Sequence, residues 1–381
     1  MNFDLEEHHI AIQRMVREFA EREIAPIAQE MDEEERLPIP IIRKMGELGI
    51  MGLPFPEAYG GGGADLLSYI VALEELARVD SSVAITLEVC VSLVGIPLLR
   101  FGTEEQKRRW LVPLAQGEMI ASFGLTEPGS GSDAAAMTTR AIKDGDEWVI
   151  NGAKSFITNT GTDISGFIIL ACVTGQKEGR PEISNIIVPK GTPGYIIGKP
   201  YKKIGWHASD TRELYFDDCR VPLDNLLGEE GKGLAQFLWT LDGGRVGISA
   251  IGVGLAQACL DHSLKRAKER VQFGRPISQF QAIQFKLADM AVNIDIARLA
   301  TYRAAWLMQQ ERPFKKEASV AKLFSSEIAV RAAEEAVQIF GGYGYLNETP
   351  VSRFYRDSKV LTIAEGTSEV QRMIIARELG V

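Results

Sequence analysis

The sequence predicts an α+β multidomain protein, divided into a helical domain (1–119), a β domain (120–230) and a second helical domain (231–381). Three observations predict this division. Apolar residues recur at helical spacing in the first third, short β-branched and aromatic runs fill the middle, and long helical patterns return in the last third. A chain of 381 residues that is 45% hydrophobic is long enough to bury several cores.

The first part opens with a predicted helix, because Ile12, Val16 and Phe19 recur at three- and four-residue spacing. Asp4 and Glu7 fit a capping box at its start. Further helices are predicted between Pro40 and Gly49, over Leu66–Ala77, over Val83–Leu99, and after a second capping box formed by Thr103 and Gln106. The N-terminal domain is therefore expected to be helical throughout.

The middle part of the sequence contains short runs of β-branched and aromatic residues, which predict short strands. They are predicted over Trp148–Ile150, Phe167–Val173, Ile183–Val188 and Glu213–Phe216. The turn-forming pairs Asp144-Gly145, Asn151-Gly152 and Pro193-Gly194 punctuate them. Because no long helical pattern connects the strands, a compact antiparallel β domain is favoured over βαβ units.

Long helices are predicted in the last part, and their lengths suit a helix bundle. They extend over Gly247–Arg270, Ser278–Gln310, Glu317–Phe340 and Ser368–Glu378. Gly252 and Gly254 begin like a dinucleotide-binding fingerprint, but Gln257 occupies the third glycine position and no strand precedes the segment. Close packing of helices is the favoured interpretation, and a Rossmann NAD site is rejected.

Charge and hydropathy exclude several classes of function. The formal net charge is −9, from 42 Lys plus Arg against 51 Asp plus Glu, which disfavours nucleic acid as a partner. The N-terminus, MNFDLEEHHI, has neither the pattern of a signal peptide nor that of a transit peptide. No run of about 18 uninterrupted apolar residues predicts a membrane span. A cytoplasmic protein without a membrane partner is expected.

The cysteines and histidines predict no metal site. The four cysteines are scattered and form no CxxC pair, so packed, reduced thiols are expected at Cys90, Cys172, Cys219 and Cys259. The histidines lack the spacing of metal ligands, and the pair His8 and His9 is expected to be solvated.

A glycine- and serine-rich loop, LTEPGSGSD at 125–133, has backbone N–H groups and hydroxyls suited to a phosphate, although such a loop alone is more often a simple turn. It is the first of an ordered series of motifs. The series continues with NGAKSFITN (151–159), GWHASDT (205–211), DGGR (242–245), ERVQFGRP (269–276), Gln338 with GGYG (341–344), and EGTSEVQR (365–372). Over essentially the whole chain this series resembles the acyl-CoA dehydrogenase family, and within it the short-chain, butyryl-CoA type.

The resemblance implies a fold, an assembly and a cofactor. The family fold is an N-terminal helical domain, a middle β-barrel-like domain and a C-terminal four-helix bundle, assembled as a homotetramer built from dimers. The implied cofactor is FAD, with Gln338, Gly341 and Gly342 contacting it from a neighbouring subunit. By the same likeness the remaining FAD-binding residues are Phe123, Leu125, Thr126, Ser132, Phe156, Ile157, Thr158, Arg270, Phe273, Gln281, Thr367 and Glu369.

The resemblance also implies an acyl-CoA site and a base. The implied substrate-binding residues are Ser132, Asp242, Gly244, Arg245, Gly366 and Arg377, with Arg245 expected to pair with phosphate or adenine. Glu365 matches the catalytic base, which removes the α-proton as the β-hydrogen leaves as hydride to the flavin. A carboxylate that faces an apolar acyl pocket has a raised pKa and is a stronger base. Electrons are then expected to pass to electron-transferring flavoprotein.

Two departures from the family pattern bear on the substrate. Relatives of the isovaleryl and long-chain types take their base from the helix near Asp242, whereas this chain has Gly243 and Gly244 there and keeps Glu365. Short- and medium-chain members commonly carry Tyr immediately before the base, and this chain has Ala364. The missing ring is expected to leave room for a branched or cyclic acyl group. The apolar residues Ile85 and Val89, near the expected pocket floor, favour a hydrocarbon tail.

Two other functions remain open on the sequence. One is a flavin oxidase of the same fold; oxidases of that kind generally carry a further C-terminal domain. The other is a non-catalytic protein that binds acyl-CoA, against which the retention of Glu365 and of the flavin-binding series argues.

Overall fold

The computed structural model describes residues 4–381 and begins with a layer of helices. Their apolar faces are packed together, as the periodicity predicts. These helices are α1 (Glu7–Phe19), α2 (Ala28–Glu34), α3 (Ile39–Glu47), α4 (Leu66–Ala77), α5 (Ser81–Glu88), α6 (Ile96–Phe101), α7 (Glu104–Gln106) and α8 (Val112–Ala115). A π-helical segment, Val89–Gly95, joins α5 to α6, so the predicted helix over Val83–Leu99 is confirmed as one continuous helical rod.

One of the two predicted capping boxes is confirmed and the other is wrong. Thr103 and Gln106 cap each other across α7, with N···O distances of 3.2 and 3.1 Å. At α1 the N-cap is Glu6, and its backbone N–H donates to His9 Nδ1 at 3.1 Å. The cap therefore lies two residues after Asp4.

The predicted solvation of the histidine pair is wrong for His9, which is buried. Its Nε2 lies 2.9 Å from Asp65 Oδ2, and His8 Nε2 lies 3.3 Å from the same oxygen. Because His9 Nδ1 accepts the Glu6 N–H, His9 Nε2 carries the proton and donates to Asp65. The three side chains thus form a hydrogen-bonded clasp between α1 and the start of α4.

The middle of the chain forms one eight-stranded sheet. The strands are β1 (Ile120–Gly124), β2 (Arg140–Asp144), β3 (Glu147–Thr158), β4 (Ser165–Lys177), β5 (Arg180–Pro189), β6 (Tyr195–Pro200), β7 (Thr211–Pro222) and β8 (Leu226–Leu227). Their order is β6-β7-β3-β2-β4-β5-β8, with β1 paired to β4. The four predicted strands all lie within these elements.

The prediction of a purely antiparallel sheet is wrong, because β1 and β2 both pair with β4 in parallel. The β2–β3 hairpin lies between β1 and β4 in the chain and supplies the crossover, so a parallel pair forms without a connecting helix. Asn151-Gly152 is also not a turn. It lies inside β3, where a bulge shifts the register between Ile150 and Gly152.

Strand β4 explains how the sheet joins the two helical parts. Phe167, Ile169 and Ala171 belong to the core shared with the helices, whereas the alternate residues Ile168 and Leu170 belong to a second core within the β domain. Since both faces are buried, the strand is apolar without alternation. Side chains from strands at both ends of the sheet meet in the second core, as expected for a curled, barrel-like sheet.

The last part is again helical. Its helices are α9 (Gly233–Glu269), α10 (Gln281–Gln309), α11 (Lys315–Phe340), α12 (Pro350–Leu361) and α13 (Ser368–Leu379), with a small hairpin of β9 (Val271–Gln272) and β10 (Arg275–Pro276) after α9. Helices α9, α10 and α11 pack against one another, and α12 and α13 pack against α11. Helix α12 was not predicted. The expected close packing at Gly254 is confirmed, since a Cβ there would overlap the Glu74 carbonyl of α4.

Two helical stretches in the described part of the chain are long and apolar enough to cross a membrane, by length and composition alone. They are Ser81–Phe101 and Gly233–Glu269, and their most apolar windows are 89% and 94% buried inside the protein. Such burial is typical of core helices.

Candidate active site

Glu365 lies on a tight turn between α12 and α13. Its φ is +53°, a left-handed value that costs a non-glycine residue about 1–2 kcal/mol, and Gly366 follows with φ +100°. Thr367 ends the turn as the N-cap of α13, its hydroxyl accepting the Val370 N–H at 3.3 Å. The Glu365 side chain is directed inward by a backbone shape that a regular helix start does not provide.

Three side chains from other segments hold this turn by its carbonyl oxygens. Lys322 Nζ of α11 donates to the Gly366 carbonyl at 2.7 Å, and Gln371 Nε2 donates to the same oxygen at 2.9 Å. Arg245 Nε of α9 donates to the Glu365 carbonyl at 3.5 Å. The strained turn is thus fixed from two helices of the bundle as well as from α13 itself.

The electrostatic environment makes Glu365 a base suited to neutral pH. Burial raises the pKa of the Glu365 carboxyl to about 7, against the opposing effects of a hydrogen bond with Glu88 and the charges of Lys322 and Arg245. Burial likewise lowers the pKa of the Lys322 ammonium to about 8. A carboxylate of this kind is partly ionised at pH 7 and has more driving force to take a proton than an exposed one.

A glycine face of α9 makes room for the carboxylate. A Cβ on Gly244 would overlap Glu365 Oε2 and lie 2.6 Å from Leu93 Cδ2. One turn later, a Cβ on Gly247 would lie 2.8 Å from Glu88 Cγ. No side chain larger than hydrogen fits at Gly244 while Glu365 keeps this position.

Asp242 and Arg245 form an ion pair one turn apart on α9. Arg245 is buried and directed at the Glu365 turn, so in this structure it supports the base instead of offering a free cation to phosphate or adenine. Burial lowers the pKa of Arg245, and the charge of Asp242 opposes that effect. The predicted CoA contact of Arg245 stays a prediction, and its burial is the geometric argument against it.

A second group of predicted residues is brought together at the edge of the sheet. The Ser155 N–H of β3 donates to the Thr126 carbonyl at 2.9 Å, which ties the 125–133 loop to the 156–158 segment. Leu125 and Ile157 are buried, Thr158 is half-buried, and Ser132 is exposed. Beside them the ring of Phe123 packs on Phe237 of α9, with centroids 4.2 Å apart.

A buried ion pair clamps this loop. Lys154 Nζ of β3 lies 2.8 Å from Glu127 Oε1 and donates to the Leu125 carbonyl at 3.0 Å. Glu127 also accepts the N–H groups of Thr138 and Thr139. Despite burial, the charge of Lys154 and these hydrogen bonds lower the pKa of Glu127 to about 2. The loop is therefore held by a charge-assisted network and is not a free turn.

Phe156 stands out from the sheet at a bulge. Its φ is +59°, the register between β3 and β7 shifts at this point, and its side chain is 67% exposed. Its ring stacks on Tyr201 at a centroid distance of 5.2 Å. An exposed phenyl group on a strained backbone is typical of a binding surface, and this one suits a flat, apolar group.

A third group lies at the far end of α9. Arg270, Gly341 and Gly342 line one cleft of about 400 Å³ together with Arg266 and Tyr343. The family resemblance implies that these glycines contact FAD from a neighbouring subunit. In the structure they share a cleft with Arg270 of the same chain, so one copy offers this whole group to a ligand. Phe273, Gln281 and Gln338 are exposed nearby in sequence, Phe273 to 93%.

The remaining predicted residues lie on α13. Glu369 is exposed in its first turn and Arg377 is exposed in its last. Hydrogen bonds from its own backbone N–H and from the Thr367 hydroxyl lower the pKa of Glu369, which therefore lies beside the end of the Glu365 turn.

Sequence reasoning missed two residues beside Glu365. Glu88 is fully buried, and the signal for it is that it is the only charged residue in the apolar run Val83–Leu99. Lys322 is also fully buried. The sequence pattern that could have identified it is its spacing from Ala318 and Ser325, two small residues on the same buried face of α11. A lone charge on an apolar helix face is unusual enough to mark a functional position.

Comparison with known proteins places this geometry in a family. Models of the acyl-CoA dehydrogenase N-terminal, middle and C-terminal domains match residues 6–118, 122–219 and 231–380. The chain is 53% identical over 380 residues to a probable acyl-CoA dehydrogenase, YngJ, of Bacillus subtilis, covering 100% of both chains.

Two solved structures are closely similar. Butyryl-CoA dehydrogenase from Megasphaera elsdenii is 45% identical with a TM-score of 0.97, covering 100% of both chains. A chain from work titled "Electron transferring flavoprotein of Acidaminococcus fermentans" is 46% identical with a TM-score of 0.97, covering 100% of this chain and 99% of that one. Matches of this identity over the full length, together with a buried carboxylate on a fixed turn, identify the chain as an oxidoreductase of the acyl-CoA dehydrogenase family.

Proposed function

We propose that the protein catalyses the FAD-dependent α,β-dehydrogenation of a short- to medium-chain acyl-CoA to the 2-enoyl-CoA, with Glu365 as the base. The observation that carries this proposal is the environment of Glu365. The residue is half-buried but its carboxylate Oε2 is shielded from solvent, burial raises its pKa to about 7, and its turn is fixed by Lys322, Gln371 and Arg245. Removal of a weakly acidic proton needs a base that is ionised at working pH yet strongly basic.

The residues predicted to hold FAD fit such a group. Phe156 and Phe273 expose large aromatic surfaces, and a Cβ added to Gly341 or Gly342 would meet nothing within 4 Å. Arg270 is an exposed cation beside these glycines, and its planar fork suits a diphosphate. Bound FAD would supply the acceptor for the hydride from the β-carbon. Its flat ring suits the Phe156 face, and its diphosphate suits the Arg270 cleft.

The chain's own residues perform the proton chemistry. Glu365 takes the α-proton, while Lys322 and Arg245 favour its ionised form before the transfer. Because Gly244 has no side chain, the Glu365 carboxylate can occupy its position beside α9 without a steric clash. Because the turn is held by hydrogen bonds to its carbonyl groups, the carboxylate needs little reorganisation at the moment of reaction.

We propose that the acyl pocket accepts straight, branched or cyclic groups. Ala364 precedes the base with only a methyl side chain, which supports extra room beside the carboxylate. Ile85 and Val89 are buried apolar residues on either side of Glu88, which supports a hydrocarbon tail. A screen of butyryl-, isobutyryl- and cyclohexanecarboxyl-CoA tests this, and a clean preference for the straight chain would contradict it.

Electron-transferring flavoprotein is the proposed electron acceptor, and a homotetramer built from dimers is the proposed assembly. A structural neighbour whose title names electron transferring flavoprotein supports the former. A cytoplasmic location is proposed with them. Anaerobic mixing of the reduced enzyme with this flavoprotein, and separately with air, distinguishes a dehydrogenase from an oxidase. Sedimentation of the holoenzyme tests the tetramer.

The decisive experiment is Glu365→Gln. The variant is expected to bind FAD and acyl-CoA normally but to lose at least about 100-fold in the rate of flavin reduction, the low end for general-base catalysis. The rate is measured by bleaching of the flavin absorbance under anaerobic stopped flow. Near-normal reduction would reassign the base, and a protein that stays colourless with FAD would support a non-catalytic role.

A further inference from the structure

Glu88 is a buried carboxylic acid with no cation beside it. It ends α5, its side chain is fully buried, and neither of its carboxylate oxygens has a donor with good hydrogen-bond geometry among the described residues. An isolated carboxylate in such surroundings would be very costly, so the group keeps its proton instead. Burial, followed by the charge of Glu365, raises the pKa of Glu88 well above its usual range.

The carboxyl groups of Glu88 and Glu365 have different charged neighbours. Glu88 faces Tyr69 of α4, Cys90 and Ser92 of its own helical rod, and Glu365 of the turn. The Tyr69 hydroxyl and Ser92 Oγ are 3.0 Å apart, and none of these neighbours is a cation.

Glu365, by contrast, faces the cations Lys322 of α11 and Arg245 of α9. The negative charge of the pair is therefore stabilised on Glu365, and the proton is stabilised on Glu88.

The fold makes space for this contact. The carboxyl groups of Glu88 and Glu365 both rest on the glycine face of α9, and neither Glu88 oxygen nor Glu365 Oε2 has a hydrogen-bond donor among the described residues. A Cβ at Gly247 would lie 2.9 Å from Glu88 Oε1, and one at Gly244 would overlap Glu365 Oε2. Two acidic side chains without a bridging cation can share such a space only if one of them is protonated.

We propose that Glu88 is a positioning residue for the reaction: its neutral carboxyl donates a hydrogen bond to the Glu365 carboxylate and holds it in the orientation that takes the substrate α-proton. This inference rests on the proposed function of Glu365. When the α C–H bond breaks, its proton moves to a Glu365 oxygen and the electron pair remains with the acyl group. Glu88 keeps its own proton throughout, so the pair holds one proton before the step and two after it.

Two variants separate the hydrogen bond from the bulk of the side chain. Glu88→Gln keeps a donor but cannot ionise, and Glu88→Leu has similar size without a donor. A hydrogen bond to the charged form stabilises it, so its loss raises the pKa of Glu365. With a shift of about one unit, flavin reduction by the Leu variant at pH 7 is expected to be about fivefold slower than by the Gln variant. The difference should vanish above about pH 9.

Infrared difference spectroscopy of the holoenzyme gives a readout that does not depend on turnover. At about pH 9, where the Glu365 carboxyl is ionised because its pKa is about 7, the wild type is expected to show the carbonyl band of a buried, protonated carboxyl that shifts in heavy water. The band should be absent from Glu88→Gln and still present in Glu365→Gln. A band that persists in Glu88→Gln, or that disappears only in Glu365→Gln, would overturn the proposal.

The two hypotheses fail in different ways. If Glu365→Gln reduces flavin normally, the proposed base is wrong, whatever the infrared band shows. If Glu365→Gln is inactive but Glu88→Leu has the same acid limb as Glu88→Gln, the base stands and the positioning role of Glu88 is wrong. If the Leu variant does not fold, the infrared comparison of Glu88→Gln with the wild type decides the question alone.

Discussion

Removing the charge of Lys322 tests the electrostatic account of the base most directly. Lys322 is fully buried, its ammonium lowers the pKa of Glu365, and it donates to the Gly366 carbonyl at 2.7 Å. Loss of an opposite charge beside a carboxyl raises the pKa of that carboxyl by about 1–3 units. Starting from about 7, the lower end of that range moves the pKa of Glu365 to about 8 in Lys322→Met.

The direction of the effect on rate follows from which form is active. The ionised carboxylate is the base, so the rate falls as pH drops through the pKa, and a higher pKa moves this acid limb to higher pH. At pH 7 the ionised fraction falls from about one half to about one tenth, so flavin reduction slows about fivefold, equivalent to about 1 kcal/mol. At pH 9 the variant and the wild type are expected to differ little.

The assay is the rate of flavin reduction at saturating acyl-CoA between pH 5.5 and about 9.5, measured by anaerobic stopped flow. Lys322→Gln is the matched control, because it lacks the charge but keeps a donor for the Gly366 carbonyl. An upward shift in both variants identifies the charge as the cause. An acid limb that stays near pH 7 in both would refute the electrostatic account, and a shift in Lys322→Met alone would assign the effect to the support of the turn.

Three further outcomes are expected. Lys154→Met leaves Glu127 buried without its cation and should destabilise the protein by about 3–5 kcal/mol, which is measured as a lower melting temperature. An unchanged melting temperature would mean that the loop does not depend on the Lys154–Glu127 pair. Gly244→Ala inserts a methyl group where Glu365 Oε2 lies and should slow flavin reduction at least about fivefold, equivalent to about 1 kcal/mol, the low end of the cost of overpacking. A normal rate would show that the carboxylate can lie elsewhere. Ala364→Tyr should lower the rate with isobutyryl- and cyclohexanecarboxyl-CoA relative to butyryl-CoA, and equal losses on all three substrates would argue against a steric role.

Buried charged side chains fix the structure at two places in this fold. At the 125–133 loop, Lys154 and Glu127 neutralise each other and fix the backbone beside Phe156. At the base, Gly244 and Gly247 leave room for two acidic side chains, and Lys322 and Arg245 decide which of them carries the charge. The first arrangement makes a loop rigid, and the second keeps a carboxyl group near its point of ionisation.

Local sequence determined the elements of this protein and their order. The spacing of Ile12, Val16 and Phe19, the capping pair Thr103 and Gln106, and the apolar run of β4 each depend on neighbours within a few residues, and the structure confirms them. The ordered motifs identified the family for the same reason, since each is a short segment whose residues act together.

Only the tertiary structure decided which distant residues meet. The parallel pairing of β1 with β4, the contact between Glu88 and Glu365, and the place of Lys322 beside that pair all join segments far apart in the chain. Periodicity shows that one face of an element is buried, but not what covers it. The pKa of a carboxyl group is set by the loss of water and by the charges that pack against it, and both exist only once the helices are assembled.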